Sequence, residues 1–165
     1  MAASSSQIFD TSGIRLKKDA CIVIVRTQWN AHVTDKLYEG CIKILKENNI
    51  AIKEIIVPGA FEIAFAIKSY WEHTQYKDCK ADAFIALGCI IKGDTPHFKY
   101  VCSAVTDGVV QLNLQLPVPT IFGVLTVNTP EQADERTGGK HGHKGEEAAA
   151  TAIKMIALVQ SYPNP

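Results

Sequence analysis

The chain has 165 residues, 47% of them hydrophobic, with 17 Lys plus Arg balancing 17 Asp plus Glu, which suits one packed domain and excludes a disordered body. That balance leaves no global field to draw nucleic acid or an anionic membrane. The apolar runs are too short to cross a bilayer, residues 1–7 lack the basic start and apolar stretch of a leader, and a cytoplasmic protein is expected.

Residues 20–25 (Ala-Cys-Ile-Val-Ile-Val) form a continuous apolar run, the pattern of a strand covered on both faces. Leu37, Cys41, Ile44 and Leu45 then recur at helical spacing until Asn48-Asn49 interrupts them. Ile50 to Val57 reads as a second strand, closed by Pro58-Gly59. Phe61, Phe65 and Ile67 to Trp71 predict a second helix, with Glu72 to Lys80 as a surface loop. Ala83 to Ile91 is a third buried strand. It breaks into Lys92-Gly-Asp-Thr-Pro-His97, where Gly93 supplies the turn, Thr95 the N-cap and Pro96 the first helical residue. Val101, Val105, Val109 and Leu112 line one side of the helix from His97 to Leu114. Pro117 to Leu125 gives a fourth strand. Thr129-Pro130 repeats the helix start for a short helix to about Arg136, a flexible loop is expected over Gly138 to Gly145, and a last helix over Glu146 to Gln160 presents Ile153, Ile156 and Val159 on one side. Strands alternating with helices imply a doubly wound parallel sheet with helices on both faces, and ligands bind at the carboxyl ends of such strands.

The segments after each strand therefore carry the interest. The turn from Lys92 to His97 presents outward amides at the positive end of a helix dipole, a setting for a phosphate or carboxylate with a proton carrier attached. His97 alone also fits a solvated surface residue. Trp29-Asn30 reads equally as a capped strand exit or as a ring and amide that stack on and hydrogen-bond a planar heterocycle. Gly59-Ala-Phe-Glu62 reads as an ordinary helix start or as amides that hold polyol hydroxyls. His141-Gly-His143, lacking a third ligand, makes a weak metal site. Arg136, Lys140 and Lys144 by themselves make a solvated face. Five cysteines, Cys21, Cys41, Cys79, Cys89 and Cys102, contain no C-x-x-C pair and are expected as reduced thiols. Neither a P-loop nor a dinucleotide fingerprint occurs.

Four blocks carry a resemblance: residues 58–63 (Pro-Gly-Ala-Phe-Glu-Ile), 86–98 (from Ala-Leu-Gly-Cys to Pro-His-Phe), 119–126 (Pro-Thr-Ile-Phe-Gly-Val-Leu-Thr) and 131–138 (Glu-Gln-Ala-Asp-Glu-Arg-Thr-Gly). In order and spacing they resemble the signature blocks of lumazine synthase. The resemblance implies condensation of a ribitylaminouracil with a dihydroxybutanone phosphate to give dimethyl-ribityllumazine, the precursor of riboflavin, with no metal or organic cofactor. The expected fold is a three-layer α/β/α sandwich around a four-stranded parallel sheet, flavodoxin-like, in the order 2-1-3-4. Residues 20–165 would form that domain, and residues 1–19 a partly extended segment that pairs with a neighbouring subunit.

Carried over position by position, the resemblance sets Trp29 against the pyrimidine and Asn30 on its polar edge. Gly59, Ala60, Phe61 and Glu62 hold the ribityl chain, beside the amides of Cys89, Ile90 and Ile91. Gly93, Asp94 and Thr95 cradle the phosphate, which Arg136 grips in a bidentate pair. His97 carries protons. Phe122 and Lys144 close over the heterocycle from an adjacent subunit, and Glu147 is the acid that accompanies the histidine. Asp94 and Lys92 depart from the family's usual small residue and arginine. The implied assembly is a homopentamer. The short stretch from Gly138 to Gly145 leans towards the sixty-subunit icosahedral shell, which would associate with riboflavin synthase. Two other readings stay open: a flavin or lumazine binding protein without catalysis, and a hydrolase using Cys89 as nucleophile.

Overall fold

A computed structural model describes residues 9–78 and 80–163. The first part of the segment expected to pair with a neighbour, and Cys79 among the expected thiols, lie outside the described residues. In chain order the elements are β1 (Cys21–Thr27), α1 (Ala31–Glu47), β2 (Ala51–Val57), a 3-10 turn (Ala60–Glu62) running into α2 (Ile63–Thr74), β3 (Ala83–Ile91), α3 (His97–Gln115), β4 (Thr120–Val127), α4 (Pro130–Asp134), β5 (Thr137–Gly139), β6 (Gly142–His143) and α5 (Lys144–Ser161). The first four strands form one parallel sheet in the order β2-β1-β3-β4.

The continuous apolar runs explain the central position of β1 and β3. Ile22, Ile24, Ile85 and Leu87 face one way, onto Leu37 and Leu45 of α1 and Ile153 and Ile156 of α5. Their neighbours Val23, Val25, Phe84 and Ala86 face the other way, onto Ile63 and Ile67 of α2 and Val105, Val109 and Leu112 of α3. Successive side chains on a strand point to opposite faces, so only a strand buried on both sides is apolar throughout. The result is the expected three-layer sandwich. Phe84 also meets Tyr70 edge to face, ring centroids 6.0 Å apart. Strand β2, at the edge, carries Lys53 and Glu54, and Arg26 of β1 ties it down through Glu54 while its other arm holds Asp35 of α1 at 2.5 Å.

Four local expectations need correction. The second helix begins with a 3-10 turn and turns Ile63 and Ile67 inward, leaving Phe61 and Phe65 66% and 78% exposed, and it continues to Thr74 through part of the expected loop. The stretch from Gly138 to Gly145 is not a plain loop: β5 and β6 form a small antiparallel hairpin, with Gly138 and Gly142 at φ of 111° and 77°. This hairpin feeds α5 directly, so α5 starts at Lys144, and Val159 faces outward. Thr95 is not the formal cap: α3 is counted from His97 with Pro96 before it, and the Thr95 hydroxyl accepts the His97 N–H at a long 3.4 Å.

Candidate active site

The first crossover runs from β1 towards β2 and the later ones run from β3 towards β4, so the strand order reverses between β1 and β3 and leaves a crevice at their carboxyl ends. Backbone alternation then shapes this crevice. Phe84 and Lys92 send their N–H groups to β4, onto the carbonyls of Pro119 and Val127. The backbone N–H and C=O groups of odd-numbered residues of β3 consequently point towards β1. Pairing with β1 stops at Arg26 and Leu87, whereas pairing with β4 continues to Ile91 and Val127. Strand β3 overshoots its neighbour, and Ile91 presents its backbone groups to the open side beyond β1.

Four hydrogen bonds hold the β1 exit in that gap. Gln28 and Trp29 donate their N–H groups to Val57 (2.8 Å) and Pro58 (3.1 Å) at the end of β2. The Thr27 hydroxyl donates to the Trp29 carbonyl at 3.1 Å. Asn30 then takes a left-handed conformation (φ 57°, ψ 44°), which Asn tolerates better than most residues, and its Nδ2 donates to the Cys89 carbonyl of β3 at 2.8 Å. The ends of β1, β2 and β3 are thus laced together, with Trp29 standing out 75% exposed between them.

The crevice is a cavity of about 560 Å³ lined by Trp29, Asn30, Gly59, Ala60, Phe61, Glu62, Cys89, Ile90, Ile91, Gly93, Thr95 and His97. Its volume suits a small organic ligand, and its wall is largely apolar with a few convergent polar groups. A Cβ on Gly93 would meet nothing, so that side of the turn is open space. Burial pushes the Cys89 thiol up to about 11, which leaves little thiolate near neutral pH and disfavours it as a nucleophile. The cavity also takes in Thr27, Pro58, Phe98 and Val101. Phe98 carried no signal of its own. Val101 reads as part of the α3 core stripe, and only its spacing of four from His97 sets both on one side of the first turn.

The remaining candidates lie elsewhere in the chain. Phe122, Lys144 and Glu147 line a second cavity of about 510 Å³ formed by β4 and α5. There Lys144 pairs with Glu147 at 2.7 Å. Arg136 lies close by, its carbonyl accepting the Lys144 N–H at 2.8 Å while its Nη1 donates to the Gln132 carbonyl. Neither Arg136 nor Asp94 is part of the wall of the His97 cavity, and Glu147 does not accompany the histidine within one chain. Among the described residues no group of three metal-ligating side chains comes together, and no helix is long and apolar enough to cross a membrane.

Comparison with known proteins gives a consistent answer. The sequence profile described as 6,7-dimethyl-8-ribityllumazine synthase matches residues 19–160. Relatives of that name include proteins from Bacteroides fragilis (50% identity over 143 residues, 84% of this chain and 95% of the relative), Porphyromonas gingivalis (46% over 153 residues, 91% and 92%) and Bdellovibrio bacteriovorus (45% over 141 residues, 85% and 75%).

Proposed function

The chain belongs to the 6,7-dimethyl-8-ribityllumazine synthase family, and from that premise we propose how its crevice carries out the condensation. The protein is a transferase of riboflavin biosynthesis. It joins 5-amino-6-(D-ribitylamino)uracil to 3,4-dihydroxy-2-butanone 4-phosphate and releases phosphate and water.

The observation that carries the site assignment is the meeting of three unlike parts in one cavity: an exposed ring at Trp29, an open turn with Gly93 and Thr95 on its wall, and the His97 imidazole at the head of α3. The pyrimidine stacks on Trp29. With its amide nitrogen committed to Cys89, Asn30 offers Oδ1 to a ring N–H, and Ile91 adds backbone groups from the free edge of β3. The ribityl chain follows Gly59, Ala60, Phe61 and Glu62, alongside Cys89 and Ile90. The phosphate sits on the Gly93, Asp94 and Thr95 backbone, where the dipole of the 19-residue α3 favours an anion. The aryl amine attacks the ketone and loses water to form an imine, phosphate leaves by elimination, and ring closure expels a second water. Each step moves a proton, and His97 accepts and returns it. Holding both reactants together in the right orientation supplies much of the remaining acceleration.

The missing half comes from a second subunit. Arg136 grips the phosphate, while Phe122, Lys144 and Glu147 close over the heterocycle from the neighbouring chain. Support comes from the placement of these residues outside the His97 cavity and from Lys144 and Glu147 already forming a pair of their own. A homopentamer supplies such neighbours, with the sixty-subunit icosahedral shell as its larger form and riboflavin synthase as an associated partner. The compartment is the cytoplasm, in keeping with Cys41, Cys89 and Cys102 as thiols. Incubating the purified protein with both substrates tests the reading: lumazine fluorescence should grow with enzyme concentration, and binding of the product without turnover would mean the non-catalytic alternative.

A further inference from the structure

The His141-Gly-His143 segment has no part in the chemistry above, yet one of its imidazoles is built into the fold. His143 ends β6 and caps α5, its Nδ1 accepting the Glu146 N–H at 3.4 Å. The ring packs directly against Gly40 of α1: a Cβ there would overlap the imidazole, with Nε2 only 2.9 Å away. Two residues on, Gly145 lies so close to α1 that a Cβ would run into the Leu37 carbonyl, whose carbon would be 2.8 Å distant, and the Cys41 thiol donates to the Gly145 carbonyl at 3.0 Å. Lys43 of α1 pairs with Glu146 at 2.9 Å. The start of α5 is thereby pinned on α1 on both sides of Lys144, whose ammonium is left to face Glu147 in the second cavity.

We propose that His143 is a positioning residue for the reaction: seated on Gly40 and capping α5, it fixes where Lys144 and Glu147 stand. The inference rests on the proposed role of Lys144 in the neighbouring site. A misplacement of about 1 Å at a reacting centre costs up to ~100-fold in rate, so a frayed first turn at this point reaches the chemistry without touching it.

The test compares Lys144→Ala, His143→Ala, His143→Asn, Gly40→Ala and the Gly40→Ala/His143→Ala double variant by steady-state kinetics with both substrates, on protein shown folded by circular dichroism. Lys144→Ala should raise KM for the ribitylaminouracil and leave KM for the phosphate substrate unchanged. His143→Ala should reproduce that pattern with about a tenfold loss in kcat/KM, and His143→Asn, which restores a capping acceptor, should recover to within about threefold of the parent. Gly40→Ala displaces the ring and should lose about as much as His143→Ala, while the double variant, with no ring to displace, should be no worse than His143→Ala alone. Full activity in Lys144→Ala would sink the role of Lys144 and the inference with it. A disabled Lys144→Ala alongside an active His143→Ala, or additive losses in the double variant, would sink the inference alone. Should His143→Ala not fold, His143→Asn against Gly40→Ala decides: equal losses in the two would likewise overturn it.

Discussion

His97 stands at the head of α3 on the wall of the cavity, one residue past Pro96. General acid–base groups in such positions contribute about a hundredfold or more, so His97→Ala should lower kcat by roughly that factor and leave KM for both substrates within about threefold, as steady-state rates will check. Asn30 separates two effects that Ala would merge. Asn30→Gly keeps the left-handed backbone and loses only the bond to Cys89, whereas Asn30→Ala loses both, and chemical denaturation should find the Ala variant less stable than the Gly variant by about 1 kcal/mol. Trp29, Asn30, Gly59 to Glu62, Gly93, Thr95 and His97 were legible in the sequence because each segment follows a strand and its chemistry is local, whereas Cys89 to Ile91 came only from the family resemblance and Phe98 and Val101 gave no site signal. Arg136, Lys144 and Glu147 were legible only through family resemblance. Nothing in a single chain brings them to His97, and no spacing rule encodes the contact between subunits that the proposed function assigns them.

At the scale of elements, the sheet holds the site by letting β3 outrun β1 and by lacing three strand ends together. That arrangement depends on a tight core beneath it. Phe84→Ala removes a fully buried ring and its edge contact with Tyr70, and urea unfolding should register a loss of about 3–5 kcal/mol. The central strands were readable because burial on both faces makes them apolar throughout. Helix α2 was legible but its buried face was not, since Phe61 and Phe65 are the strongest apolar signals there and nevertheless point outward. The hairpin of β5 and β6 gave no strand signal at all. Its segments are only three and two residues long, and glycine geometry shapes them more than any apolar pattern does.

Over the whole molecule, one buried thiol makes stability depend on alkaline pH. Burial pushes Cys41 of the α1–α5 contact up to about 12, from an ordinary value near 9.0. The folded chain keeps this proton where the unfolded chain loses it, so the contribution is complete below about pH 9 and declines as pH rises towards 12. The slope is at most ~1.4 kcal/mol per pH unit. Cys41→Ala should flatten that decline relative to the parent, as unfolding free energies measured between pH 9 and 11 will check. The outer surface carries a second message. Phe61, Phe65, Tyr100 and Leu114 are all exposed, more large apolar side chains than a solitary domain has reason to display, and the proposed assembly gives them partners. Light scattering should find an oligomer rather than an 18.0 kDa monomer. The most direct test of a reaction centre divided between subunits is co-assembly of His97→Ala with Arg136→Ala in equal amounts. Random mixing leaves about a quarter of the sites with both intact halves, so activity should rise to about a quarter of the parent's. Mixed assemblies no more active than the average of the two single variants would contradict the account.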